Sequence, residues 1–345
     1  MIKSSIRYGL GLFLFACLSC SKELKLPDTK KQRKISLIGE LVANESTYFR
    51  GGQSTPVSSG SSLKFELLQG LSATITNASG FSLTLAGVED SFSKVLYTVR
   101  FSDLYKIAAG NIYTVKLAHQ ELGTAVTNVT IPGAFKAVVV DTATTVYASD
   151  TALAADITID DPDGDSYFAV EAIKQPMSIS AFFSHNNQWL NIDENRPVYD
   201  SLKRVSSIQL RYDTIYGNSF QRVNIYTNDI NTENLKDHSS FNIFRRVLLS
   251  DYKFSGSSYT TRVYLSKSRY FFDSTDTKGR VLLQVKSVSK DYFDYLKAYE
   301  LYDPTIGFSA FSPPADIKSP IQNGTGVLGG VYKLQFIYIL DRWEF

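Results

Sequence analysis

Cysteine, histidine, activated serine and clustered carboxylate are the side chains through which this chain could do chemistry, and they are few and scattered. Both cysteines fall near the start, in Leu14-Phe-Ala-Cys17-Leu-Ser-Cys20. Small residues before each thiol, at the end of a short apolar run, have the form of a bacterial lipobox, where the sulfur is acylated and becomes the first residue of the mature chain. Cys20 is the favoured lipidation site. Cys17, with a leucine three residues before it, is the alternative, and an ordinary secretory peptide cleaved nearby is the plainer one. Four carboxylates crowd Asp160-Asp161-Pro162-Asp163-Gly164-Asp165. They lack the bidentate glutamate that closes a helical calcium loop, so they read as a tight turn with its acids in water, with a weak calcium site as the alternative. His119, His185 and His238 show no ligand spacing. There is no Gly-x-Ser-x-Gly elbow and no glycine-rich phosphate loop ending in Lys-Ser/Thr. We therefore assign no catalytic residue, no metal and no cofactor, and expect a protein that is not an enzyme. Glycosidase-type acid pairs stay open, because their partners meet only in three dimensions.

The elements that would position these groups read as strands. The 345 residues include 21 Tyr and 22 Phe against 2 Met and 2 Trp, a composition that favours sheet over helix bundle. Lys3, Arg7 and the apolar run Tyr8 to Leu18 make residues 1–20 a lipoprotein signal peptide, too short to span a bilayer. Residues 21–34, with six basic and two acidic side chains and no apolar periodicity, read as a flexible tether. Seven short strand-like runs follow between Ile35 and Ile131, separated by turn residues that include Gly51-Gly52. Pro132-Gly133 marks a boundary, giving an N-terminal β-sandwich over 35–133 and a C-terminal one over 134–345. The expected class is all-β, with two immunoglobulin- or transthyretin-like sandwiches. Two stretches, Phe183 to Leu202 and Asn228 to Phe241, read as long polar loops suited to partner contacts.

The C-terminal stretch Ser287 to Tyr332 organises the second half. Ser289 can cap a helix, Asp291 sits in its first turn and Asp303-Pro304 ends it, giving a helix over 290–302. Tyr292, Tyr295, Leu296, Tyr299 and Tyr302 recur at three- and four-residue steps. That stripe reads as a structural cover, with a ligand-stacking platform as the alternative. Beyond it, Tyr332, Leu334, Phe336, Tyr338 and Leu340 alternate as a buried strand face should.

Several motifs here carry a resemblance. The helix start Ser287-x-Ser289-Lys290-x-Tyr292, the loop Phe311-Ser312-Pro313-Pro314, and Asn323-Gly324-x-Gly326-x-x-Gly329-Gly330 before the last strand are similar to the C-terminal signature of domain-of-unknown-function family 4249. Cys20-Ser-Lys-Glu-Leu-Lys-Leu-Pro27 looks like that family's mature start. The resemblance implies a Bacteroidota-type outer-membrane lipoprotein, often encoded beside a TonB-dependent transporter, and it brings no catalytic residues with it. Asp141-Thr142-Ala143, Asp150-Thr151-Ala152 and Asp213-Thr214-Ile215 resemble the acceptors that such bacteria O-glycosylate, and read equally as polar turns.

Removing residues 1–20, which carry Lys3 and Arg7 and no acid, takes the formal charge from +2 to zero. A near-neutral chain does not suit nucleic acid. The expected function is a lipid-anchored, noncatalytic binding protein of the outer membrane or cell surface, held through acyl chains such as palmitate on Cys20. Its expected partners are the membrane and a TonB-dependent transporter, in nutrient uptake. A structural or adhesive surface protein is the alternative, and a glycan-active enzyme the third.

Overall fold

The structure is a computed structural model that describes residues 33–54, 66–147, 150–162, 164–205, 207–217, 220–234, 243–254, 256–266, 278–301 and 318–340. Cys17, Cys20, Asp163, His238, Tyr302 and Phe311 to Pro314 lie outside these. The first block runs β1 (Ile35–Val42), β2 (Ser46–Gln53), β3 (Ser72–Asn77), β4 (Ser82–Ala86), α1 (Ser93–Leu96), β5 (Thr98–Lys106), β6 (Ile112–His119) and β7 (Gly123–Thr130). The second runs β8 (Lys136–Tyr147), β9 (Asp150–Asp160), β10 (Tyr167–His185), β11 (Gln188–Asn191), α2 (Arg196–Lys203), β12 (Leu210–Tyr216), β13 (Gln221–Val223), β14 (Ile225–Tyr226) and β15 (Ile243–Phe244). It continues through β16 (Val247–Ser250), β17 (Ser258–Ser266), β18 (Lys278–Val288), α3 (Lys290–Leu301) and β19 (Gly324–Leu340). The chain is all-β and sandwich-like, with a helix near the C-terminus.

One large sheet orders β11-β10-β18-β19-β1-β2-β5, with β12, β13 and β16 also paired to β10. Two smaller sheets, β4-β3-β6-β7 and β15-β14-β17-β9-β8, build the sandwiches. The first core gathers Leu37, Phe49, Ile75, Phe101, Tyr113 and Leu117; the second gathers Ile157, Phe168, Val170, Val263, Leu283 and Val285. The chain passes from one to the other between Ile131 and Phe135.

β19 joins them. It lies parallel to β1, pairing Ile35 with Gly324 and Val42 with Val331, and antiparallel to β18. Its alternation is the expected one: Leu328 packs into the first core, Tyr332 touches both, and Leu334, Phe336 and Tyr338 pack on the second. Val327 and Val331 serve a third cluster under α3, with Ala169, Leu248, Val288, Tyr292, Phe293 and Leu296.

Several sequence expectations change. Gly51 and Gly52 are not a turn but the end of β2, a strand the pattern does not reveal. A Cβ on Gly51 would come within 2.8 Å of Leu71 and 3.0 Å of Phe101, so the glycine permits close packing inside the sandwich. Phe183 to Leu202 is not a loop. Asn186 and Asn187, at φ 50° and 61°, turn β10 into β11 as a two-residue hairpin requires, and Pro197 sits in the first turn of α2. Of the seven strand-like runs, the one over Val95 to Phe101 begins as α1 and turns at Tyr97, φ 53°, before β5. Asp141-Thr142-Ala143, Asp150-Thr151-Ala152 and Asp213-Thr214-Ile215 lie within β8, β9 and β12 and not in turns.

Candidate functional site

α3 forms at the expected place, over Lys290–Leu301. Ser289 O accepts from Phe293 N at 2.9 Å, as the first helical bond should, and Asp291 occupies the first turn. The Ser289 hydroxyl does something else: it accepts from Gly330 N at 3.3 Å and so pins the helix start to β19. The buried face is Tyr292, Phe293, Leu296 and Glu300, with Tyr295 half-buried and Tyr299 exposed. The buried face is thus rotated by about one position from the tyrosine stripe, because Phe293 packs inward and Tyr299 faces solvent.

Beneath this face lies a network of charges that the sequence pattern does not announce. Glu171 of β10 is buried and accepts from Arg246 Nε at 3.0 Å, Lys286 Nζ at 3.2 Å and Arg222 at 3.2 Å. Lys286, on neighbouring β18, also donates to both oxygens of Glu40 of β1 at 3.0 Å. Tyr292 donates to Glu40 at 2.7 Å, and Arg246 reaches Glu300 at 3.3 Å. Burial pushes the Glu171 carboxyl up, but Lys286, Arg222 and Arg246 outweigh it and hold it at about 2. Burial lowers the Lys286 ammonium, while Glu171 and Glu40 more than restore it. The same burial raises the Tyr292 hydroxyl, with Glu40 adding to the effect. Glu300 is the exception. Burial raises its carboxyl and Arg246 only partly offsets that. Hydrophobic periodicity cannot find such a cluster, because its members come from β1, β10, β13, β18, α3 and the residues before β16.

Beside the helix start is a groove of about 500 Å³, lined by Asn128, Thr130, Asp165, Ser166, Lys290 and Asp291 among others. That volume falls in the range of small-ligand sites. Lys290 is paired with Asp294, and Ser166 N donates to Asp251 at 2.7 Å. Burial first, then the nearby Asp161 and Asp165, raise the Asp251 carboxyl. The groove offers both donors and acceptors for a polar ligand.

The acidic turn is tied to its neighbours: Asp160 accepts from Ser258 at 2.7 Å and Asp161 from Gly256 N at 2.8 Å. No three metal-type ligands converge among the described residues. His119 accepts from the backbone of Glu121 and Leu122 and contacts Gln69 O at 3.0 Å, whereas His185 lies at the β10–β11 turn against Asn186. The structure does not bring them together.

A glycine-permitted seam explains how α3 sits so close to the sheet. A Cβ on Gly329 would fall 2.2 Å from the Tyr292 ring, and one on Gly330 would fall 1.9 Å from Thr130 O. These are the glycines of the Asn323-Gly324 motif. In comparison with protein families, residues 23–335 match the Domain of unknown function (DUF4249). The chain belongs to the DUF4249 family. No curated protein matches it. In this DUF4249 chain Gly329 admits the helix onto β19 and Gly330 admits the end of β7, and no described helix is long and apolar enough to cross a membrane.

Proposed function

We propose that this DUF4249 chain is a lipid-anchored lipoprotein of the outer membrane, acylated on Cys20, that binds a ligand without transforming it and serves a TonB-dependent transporter. The observation that carries the reading is the order of parts: a thiol in Leu-Ser-Cys20, a basic polar stretch over 21–34, and a β fold that begins at Ile35. The groove beside α3 supports a binding role. Its described lining includes no histidine or cysteine, and its lysine is paired with a carboxylate.

Four measurements test it. Intact-mass spectrometry of the membrane-bound protein should show loss of residues 1–19 and acyl mass on Cys20. Stable attachment takes at least two chains, so the native form should resist a salt wash while Cys20→Ala is released. Retention of Cys20→Ala would transfer the role to Cys17 or end the anchor reading. Detergent extraction with the protein tagged should then recover a transporter; its absence would favour the structural or adhesive alternative. Asp165 and Asp291 are the groove carboxylates that a glycan-active reading would need, and a glycan-cleaving activity lost in Asp165→Asn or Asp291→Asn would overturn the noncatalytic one.

A further inference from the structure

We propose that the segment Phe92–Tyr97 is a second contact with the bilayer, seated among the lipid headgroups beside the point where the N-terminal residues join the fold. This rests on the lipid anchor proposed above and adds to it an orientation of the whole molecule.

The first observation is exposure. Within Phe92-Ser93-Lys94-Val95-Leu96-Tyr97, Phe92 is 60% exposed, Val95 71%, Leu96 52% and Tyr97 40%, while the polar Ser93 is buried. Single exposed apolar residues need no explanation, but four among six neighbours do. The segment is held in this inverted form. Ser93 donates to Asp90 at 3.2 Å and accepts from Asp90 N at 2.8 Å; Leu96 N donates to Phe92 O at 2.8 Å. Arg50 then locks Asp90 at 2.5 Å, with its guanidinium over the Phe92 ring.

The second observation is place. Ser36 pairs with Gly52, and Gly52 with Thr98, so the segment enters β5 alongside the first residues of β1. A Cβ on Gly52 would be 2.9 Å from Tyr97 O and 3.4 Å from Ser36 Oγ. Lys34 N donates to Ser54 at 3.0 Å on the same margin. The chain from Cys20 to Arg33 reaches about 45 Å at most when extended. An acylated Cys20 therefore confines this end of the sheet to the tether's reach of the bilayer and lets the edge that carries residues 92–97 come down onto it.

The third observation is charge. Lys94, Arg33 and Lys34 are exposed at this end. Arg33 pairs with Glu66 at 3.5 Å, and Glu89 accepts from Gln69 nearby. Apolar side chains among lysines and arginines are what a headgroup layer accepts, with the rings and aliphatic groups inside and the cations toward phosphate.

The test uses the acylated protein reconstituted in vesicles of equimolar phosphatidylethanolamine and phosphatidylglycerol whose acyl chains carry bromine, a contact quencher of tryptophan. Val95→Trp should lose fluorescence beyond the loss shown by the parent. Leu104→Trp, at a position 88% exposed and farther along β5 by roughly 20 Å, should not. Both positions face solvent, so both variants should melt like the parent. Equal behaviour of the two tryptophans, quenched or unquenched, overturns the proposal. Intact mass of the same sample separates the readings. Missing acyl mass overturns the anchor and this contact with it, whereas acyl mass present with no quenching at residue 95 overturns the contact alone.

Discussion

The Tyr292 hydroxyl donates to Glu40 at 2.7 Å, tying α3 to β1, while the Tyr292 ring lies where a side chain on Gly329 would have to go. One residue thus holds both a polar and a steric contact, and substitution can separate them. Tyr292→Phe removes only the hydroxyl, and Lys286 still donates to Glu40, so the loss should be about 1 kcal/mol. Tyr292→Ala should cost about 3 to 5 kcal/mol. Gly329→Ala should destabilise strongly in the parent and far less beside Tyr292→Ala, a coupling that a double-mutant cycle in urea measures.

Glu171 lends itself to a pH experiment. Its folded carboxyl is held at about 2, below the usual value of 4.5, so its contribution is complete above pH 4.5 and disappears as pH falls toward 2. Glu171→Gln leaves Lys286 and Arg246 buried without their shared partner and should cost about 3 to 5 kcal/mol at neutral pH. The gap between parent and variant should narrow on acidification through that window. Glu300 has the opposite sign: its raised carboxyl favours the fold at low pH and loses that advantage as pH rises past the ordinary value. Glu300→Gln should therefore flatten the parent's loss of stability on that side. A gap for Glu171→Gln that stays constant with pH would contradict the network.

The helix face yields a third test. Leu296→Ala, from the buried side, should cost about 2 to 5 kcal/mol. Tyr299 is exposed and accepts from Arg245 at 2.9 Å, so Tyr299→Ala should stay within about 0.5 to 1 kcal/mol. Thermal melts in parallel check this. A Tyr299 variant that melts like the parent yet no longer retains a transporter on co-purification would show that the exposed ring is a recognition surface.

Calcium should leave the melting temperature unchanged. Asp160 and Asp161 already accept from Ser258 and Gly256. A site at 100 times its dissociation constant would stabilise by about 2.7 kcal/mol, which a melt with and without chelator resolves easily. An upward shift removed by Asp161→Asn would restore the calcium alternative.

Much of the fold was legible because alternation and turn residues report one buried face directly. β1, β6, β7 and the end of β19 are of this kind. Strands whose glycines serve packing look like turns in the sequence, as at Gly51-Gly52, since a glycine's use depends on what lies opposite it. The Asn186-Asn187 turn carried a usable signal in its side chains, and reading it would have turned a supposed loop into a hairpin. The buried charges could not have been anticipated. Glu40, Glu171, Arg246, Lys286 and Glu300 look like surface residues until five separate segments converge. The groove beside α3 was hidden likewise, because its lining is drawn from β7, the acidic turn and the helix start.

The parallel pairing of β1 with β19 also governs when the protein can fold. Ile35 finds its partner in Gly324, so the largest sheet stays incomplete until nearly the whole chain is available. Contacts so distant in sequence close slowly, and an unpaired β1 edge is a template for wrong partners while it waits. Any chain made or exported from its N-terminus must carry that open edge until the last strand arrives. Refolding should show a slow phase that shortening the chain before β19 abolishes along with the native state, and holding chaperones should engage the chain before that strand emerges.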